Sequence, residues 1–402
     1  MPSSLPAGEP APADGSLPES ALSELGDGPI SLYVHVPFCA TRCGYCDFNT
    51  YTAAELGSAP GSSQQAYLAA ARAELGLAAQ VLGARAVSTV FVGGGTPTLL
   101  PSSELVGLLS AARDLFPLVD GAELTTECNP ESVDDVYLAA LVEGGFNRIS
   151  FGMQSDRQHV LKVLERTHTR GRVPQVVRWA RAAGFGSVSL DLIYGTPGES
   201  LADWQASVEA AVACEPDHVS AYALIVEEGT RLAAQIRRGD LPAPIDDVQA
   251  DGYELADELL TEAGLGWYEL SNWSRPGHEC RHNLAYWRGS PWWGVGPGAH
   301  SHVAGVRWWN VKHPRRYAKA LKAGESPAAA REVLDADTRR TERILLESRL
   351  VDGLALDLLT QRERARIADL RRRGLVTDDP SRLILTRQGR LLADAVVRDL
   401  LD

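Results

Sequence analysis

Three cysteines within eight residues, Cys39, Cys43 and Cys46 in the stretch Tyr33-Val-His-Val-Pro-Phe-Cys-Ala-Thr-Arg-Cys-Gly-Tyr-Cys-Asp-Phe48, constrain this chain more than any other feature. They follow directly on an apolar run that reads as a strand, so the thiols sit on the loop that leaves it. The spacing C-x3-C-x2-C offers three thiolates and no fourth. That set suits an iron–sulfur cube with one iron left open, where an amino acid or a water can coordinate. The alternatives are half of a zinc site or simply buried thiols. A structural zinc needs four ligands in tight pairs, and Cys128, Cys214 and Cys280 are single and far apart. Cys128 and Cys214 fall in apolar patterns and read as core residues.

Length sets the scale of the fold. A chain of 402 residues with 45% hydrophobic residues has enough for about two domains. Six cysteines are too few for a disulfide framework, and a tight triplet implies a reducing compartment, hence a cytoplasmic protein. Residues 1–29 are rich in Pro, Ser, Ala and Gly and read as a disordered leader. They lack the basic start and apolar run of a signal peptide. No run of 18 apolar residues occurs, so no transmembrane segment is expected; peripheral membrane contact stays open. A net charge of −13 argues against a nucleic-acid partner.

From Ser31 the chain alternates short apolar runs with amphipathic stretches. Strands are expected at Ser31–Pro37, Thr89–Val92, Glu123–Glu127, Arg148–Gly152, Ser187–Tyr194 and His218–Ile225, with helices such as Gln64–Leu82, Asp134–Val142, Val173–Ala183 and Leu201–Cys214 between them. Such alternation gives an α/β fold, an incomplete (β/α)6 barrel with its chemistry at the C-terminal strand ends. Suggestive residues fall at those ends. The second strand runs into Gly93-Gly94-Gly95-Thr96-Pro97-Thr98, where the backbone can pass close to a ligand. The third ends at Glu127, the fourth delivers Gln154, Arg166 follows in a helix, and Asp191 lies on the fifth. Each alone is unremarkable; together they are polar groups entering one barrel mouth.

The cysteine motif resembles the signature of the radical S-adenosylmethionine (SAM) superfamily. The path through Gly-Gly-Gly-Thr-Pro-Thr, Glu127-Cys-Asn-Pro, Gly152-Met-Gln-Ser and Asp191-Leu-Ile-Tyr-Gly is similar to the oxygen-independent coproporphyrinogen III oxidase family, over roughly Ile30 to Asp402. The resemblance implies a [4Fe-4S] cluster on Cys39, Cys43 and Cys46, with SAM chelating the open iron. It implies that Tyr33, Gly94 and Glu127 contact this SAM, and that Tyr45, Gly95, Thr96, Gln154, Arg166 and Asp191 match positions around a second SAM. Phe48 stands where the dehydrogenase branch carries a fourth cysteine. The chain therefore resembles the heme-chaperone branch, whose further mark is His282-Asn283-Leu-Ala-Tyr286-Trp287. That branch implies heme and heme-acceptor proteins as partners.

Composition points to the same segment. Seven of the nine tryptophans lie between Trp267 and Trp309, with His278, His282, His300 and His302 among them. Planar rings supply stacking faces and imidazole is a common axial ligand of heme iron. Cys280 is a second iron ligand to weigh, and an ordinary core between domains is the plain alternative. The chain divides at this stage into a leader, 1–29; a partial barrel, 30–235; the aromatic and histidine-rich segment with a heme motif, 236–330; and a winged-helix-like α+β domain, 331–402. From Thr338 onward fourteen Arg face eleven Asp plus Glu, thin support for a DNA footprint. Three readings follow: a heme chaperone on a radical SAM scaffold, a coproporphyrinogen III dehydrogenase, and a DNA-binding regulator with a structural cluster. A homodimer stays open.

Overall fold

The computed structural model describes residues 8–58, 61–166, 169 and 171–401. Six strands run parallel in chain order: β1 (Ile30–Val36), β2 (Val87–Gly94), β3 (Leu118–Cys128), β4 (Arg148–Gln154), β5 (Ser187–Tyr194) and β6 (His218–Ala223). Their sequences alternate strictly, as in Ser187-Val-Ser-Leu-Asp-Leu and His218-Val-Ser-Ala-Tyr. One face carries Leu124, Ile149, Phe151, Val188, Leu190 and Val219, which pack in one apolar core with Leu75, Leu108, Leu138, Val176 and Val208 of the connecting helices. Period-two patterning thus sends the other face, polar along most of its length, into the hollow of the sheet. The fold is an open, incomplete (β/α)6 barrel.

The sheet does not stop at β1 and β6. Beyond β6 come β7 (Gly266–Glu269) and β8 (Asn272–Ser274), with β8 antiparallel to β6. On the other side β9 (Trp292–Val295) runs parallel to β1, followed by antiparallel β10 (His300–Val303), β11 (Val306–Asn310) and β12 (Ala328–Val333). Twelve strands therefore form one sheet, and of the seven tryptophans between Trp267 and Trp309 all but Trp287 lie on its strands. Trp273 and Trp293 are fully buried in it.

The remaining residues build a smaller unit with its own core of Ile344, Leu354, Leu370, Leu383 and Val396. Here β13 (Leu354–Ala355) pairs with β14 (Arg382–Leu383) amid the helices Ala336–Glu347, Gln361–Arg372, Arg387–Leu391 and Ala393–Leu401, a winged-helix-like arrangement. Across Asp378-Asp379-Pro380 the chain pairs with itself through an isolated antiparallel bridge, Val376 to Leu385.

The disordered leader needs correction in its described part, 8–29; residues 1–7 lie outside the described residues. A helix at Glu19–Leu25 buries Ala21, Glu9 bridges to Arg331 on β12, and Ser326 N–H donates to the Ala13 carbonyl at 2.7 Å. Leu17, Leu22 and Leu25 pack on the main core. Within the helix Ala21, Leu22 and Leu25 share one apolar face, which outweighs the Pro and Gly content around it.

Candidate functional site

Strand register stacks the inward side chains in layers. Ser31, Thr89 and Glu123 form the lowest; Tyr33, Phe91, Thr125, Arg148 and Ser187 the next; then His35, Gly93, Glu127, Ser150, Ser189 and His218; then Gly152, Asp191 and Ser220. The cysteine loop leaves β1 at the top of this stack. Cys39 N–H donates to the Tyr51 carbonyl at 3.0 Å, and Cys46 N–H to the Cys43 carbonyl at 3.2 Å. All three cluster-motif thiols are half-buried. Burial pushes Cys39 up and Cys46 up to about 11, while the Thr50 and Thr96 hydroxyls pull Cys39 back. Arg166 brings Nη1 to 3.7 Å from the Cys43 sulfur and donates from Nη2 to the Gly152 carbonyl at 3.0 Å.

The glycine run completes the rim. Gly95 N–H donates to the Val36 carbonyl at 2.8 Å and Thr96 N–H to that of Phe38 at 2.7 Å, locking this loop to the root of the cysteine loop. A Cβ on Gly95 would lie 2.5 Å from the Phe38 oxygen. Gly94 has φ +111°, and a Cβ there would meet the His35 ring at 2.6 Å. The Phe38 backbone at one position and the inward-facing His35 ring at the other leave room only for glycine. Gly94 N–H also donates to the Glu127 carboxylate at 2.9 Å. Burial, with Asp191 as a like charge, pushes Glu127 up to about 8. Asp191 is also raised by burial, against two hydrogen bonds from the Ser150 hydroxyl at 3.0 Å. Gln154 sits after a bulge with φ +65°, a strained conformation of the kind that clusters at ligand sites.

Tyr45 anchors the loop from above, packing on Val160, Leu164, Ile193, Leu224 and Leu232. Phe48, at the fourth-cysteine place, is 54% exposed. Tyr222, which faces inward by register, is 44% exposed, so the hollow is open to solvent on the β6 side.

The expected heme motif lies elsewhere. The helix Arg281–Trp287 closes the bottom of the barrel, with the Arg281 and His282 N–H groups donating to the Glu123 carboxylate at 3.1 and 3.0 Å. His282 is 2% exposed; its Nδ1 pairs with the Thr89 hydroxyl at 2.7 Å and its Nε2 with the Tyr286 hydroxyl at 2.9 Å. Asn283 donates to Glu269 at 2.6 Å. Trp287 is half-buried beside them and also lowers Glu269, which burial nonetheless holds up at about 7. Cys280 is buried, its sulfur 3.6 Å from Glu123. The structure thus separates the sequence's candidates into a rim and a floor.

Sequence reasoning missed Glu123, His35 and Asn49. His35 donates from Nε2 to the Asn49 carbonyl at 2.9 Å, which leaves Nδ1 to accept from the Tyr33 hydroxyl at 3.0 Å. Asn49 in turn donates to the carbonyls of Pro297 and Lys312 at 2.9 and 2.8 Å. The signal for His35 was present: Tyr33 and His35 alternate on one strand and share a face.

The residues fit an iron–sulfur cluster. No three His, Cys, Asp or Glu side chains among the described residues converge on a single metal ion. A cube binds each thiolate to a different iron, so its ligands spread around it. The buried Nε of Arg166 and hydroxyl of Thr50 have no geometric hydrogen-bond partner beside these thiols, and both could turn to a bound group. They do not fit heme at the floor, where both His282 nitrogens are engaged.

A model of the radical SAM superfamily matches residues 33–211. The heme chaperone HemW of Mycobacterium tuberculosis (strain ATCC 25618 / H37Rv) is 54% identical over 380 residues, 94% of this chain and 97% of that protein. HemW of Bacillus subtilis (strain 168) is 32% identical over 91% of this chain and 97% of its own length. Among solved structures, coproporphyrinogen III oxidase (HemN) from Escherichia coli superposes with a TM-score of 0.80 over 96% of this chain and 94% of that one, at 24% identity.

Proposed function

We propose, for a chain that belongs to the heme chaperone HemW family of radical SAM proteins, that it binds heme and transfers it to acceptor proteins while carrying a [4Fe-4S] cluster and SAM. Cys39, Cys43 and Cys46 would hold the cluster, and SAM would chelate its open iron. When bound, that pair supplies reductive cleavage of SAM. Arg166 sets its guanidinium beside the Cys43 sulfur, and the Gly94–Glu127 hydrogen bond fixes the carboxylate that would face SAM. Tyr45, Gly95, Thr96, Gln154 and Asp191 line or brace the same rim, where a second SAM would sit. A reducing compartment such as the cytoplasm keeps the thiols available. No helix among the described residues is long and apolar enough to cross a membrane.

The observation that carries the chaperone reading over the dehydrogenase is Phe48, an exposed ring where that enzyme branch has a thiol. The test is anaerobic cluster reconstitution followed by two assays. Heme should bind stoichiometrically with a Soret band and pass to an apo-acceptor, and coproporphyrinogen III with SAM and reductant should stay unconverted. Efficient protoporphyrinogen formation would overturn the reading.

A further inference from the structure

We infer that His282 and Tyr286 are positioning residues for the SAM cavity and that their segment does not supply the heme iron ligand, the second clause resting on the heme-binding reading above. An imidazole ligates iron through a lone pair facing open space. His282 has none to offer: Thr89 occupies Nδ1 at 2.7 Å and Tyr286 occupies Nε2 at 2.9 Å. The ring is 2% exposed, and burial holds it neutral, its pKa down at about 3. A neutral ring donates from one nitrogen and accepts at the other, and two hydroxyls satisfy that pair in either tautomer.

Glu123 pins the backbone at Arg281 and His282, and Glu269 holds the Asn283 side-chain amide. What the segment does touch is the wall of the hollow. The His282 ring stacks on Phe91 at 5.1 Å and 24°, and lies 6.3 Å from Tyr33. Tyr33 and Phe91 are register partners on β1 and β2. One inward layer higher, about 7 Å along the strands, stands Glu127 with its bond to Gly94. A change in His282 or Tyr286 therefore reaches the SAM frame through two stacked rings.

The test uses the full-length, cluster-reconstituted protein. His282→Ala should raise the SAM concentration that half-saturates the change in the reduced cluster's EPR spectrum about tenfold, and Tyr286→Phe severalfold, while heme stoichiometry and Soret position match wild type. His282→Gln, which keeps a donor and an acceptor, should recover part of the SAM response. Loss or displacement of the Soret band in His282→Ala with a wild-type SAM response would overturn the inference, as would unchanged SAM response in both variants. If His282→Ala does not fold by circular dichroism, Tyr286→Phe carries the test, since it removes only a hydroxyl. A wild type that shows no Soret band on adding heme defeats the heme reading instead, and the SAM response alone then decides the positioning role.

Discussion

Arg166 holds its guanidinium 3.7 Å from the sulfur of Cys43, the middle thiol of the cluster loop. The contact places a fixed positive charge beside a group that must lose its proton to bind iron.

Arg166→Gln should therefore lower the amount of cluster loaded severalfold, because the sulfur loses its charged neighbour. Burial raises Cys39 and Cys46, so loading of the wild type improves as pH rises. Iron per chain and absorbance near 400 nm across a pH series measure both. Equal iron content of variant and wild type would refute the role.

Serine at Cys39, Cys43 or Cys46 should abolish most bound iron. Serine at Cys128 or Cys214 should not, because Cys128 is buried on the outer face of β3 and Cys214 follows a helix on that side of the sheet. A full cluster in Cys43→Ser contradicts the assignment.

Gly95→Ala and Gly94→Ala should both disable the rim, through backbone collision. The Phe38 oxygen and the His35 ring stand where the new Cβ would go, and Gly94 adds a left-handed φ that costs roughly 1–3 kcal/mol. At Gly95 even one methyl breaks the pairing with the cysteine loop. Urea midpoints and the SAM-dependent EPR change should fall together in each variant.

Glu127 gives a pH signature. Its folded pKa of about 8 lies above the unfolded value of 4.5, so its contribution to stability is fully present below pH 4.5 and is lost as pH rises through 8. Glu127→Gln should make the apoprotein more stable than wild type above pH 8, by an amount on the order of a few kcal/mol, and no more stable near pH 4. Thermal melts at both pH values decide it.

Behind the cluster strand, Glu74 is fully buried and accepts hydrogen bonds from Tyr317, Asn310 and the Gly296 N–H at 2.5, 2.7 and 2.7 Å. Glu74→Ala leaves these donors unpaired and should cost about 2–4 kcal/mol by urea unfolding. Glu74→Gln should cost less. Equal stability of Glu74→Ala and wild type would show that water replaces the carboxylate.

Much of the barrel was legible because its strands are short apolar runs at regular spacing. Arg148–Gly152 and Ser187–Tyr194 fall within or on the observed β4 and β5. The rim was legible too, since cysteine spacing and consecutive glycines are local signals. The floor was not. Glu123 looks like an ordinary strand acid, and its partners at Arg281 and His282 lie far along the chain. Nor could composition tell whether the tryptophans stack on a ligand or on one another. Trp293 packs edge-on against Trp308 at 4.8 Å, inside the sheet.

The pairing of β9 with β1 sets a timetable for biosynthesis. The strand that carries the cluster loop stays an unpaired edge on one side until Trp292–Val295 has been made. Through most of translation the three thiols hang from a half-built sheet, open to oxidants and to stray metals. Chains cut before Trp292 should therefore aggregate through that bare edge.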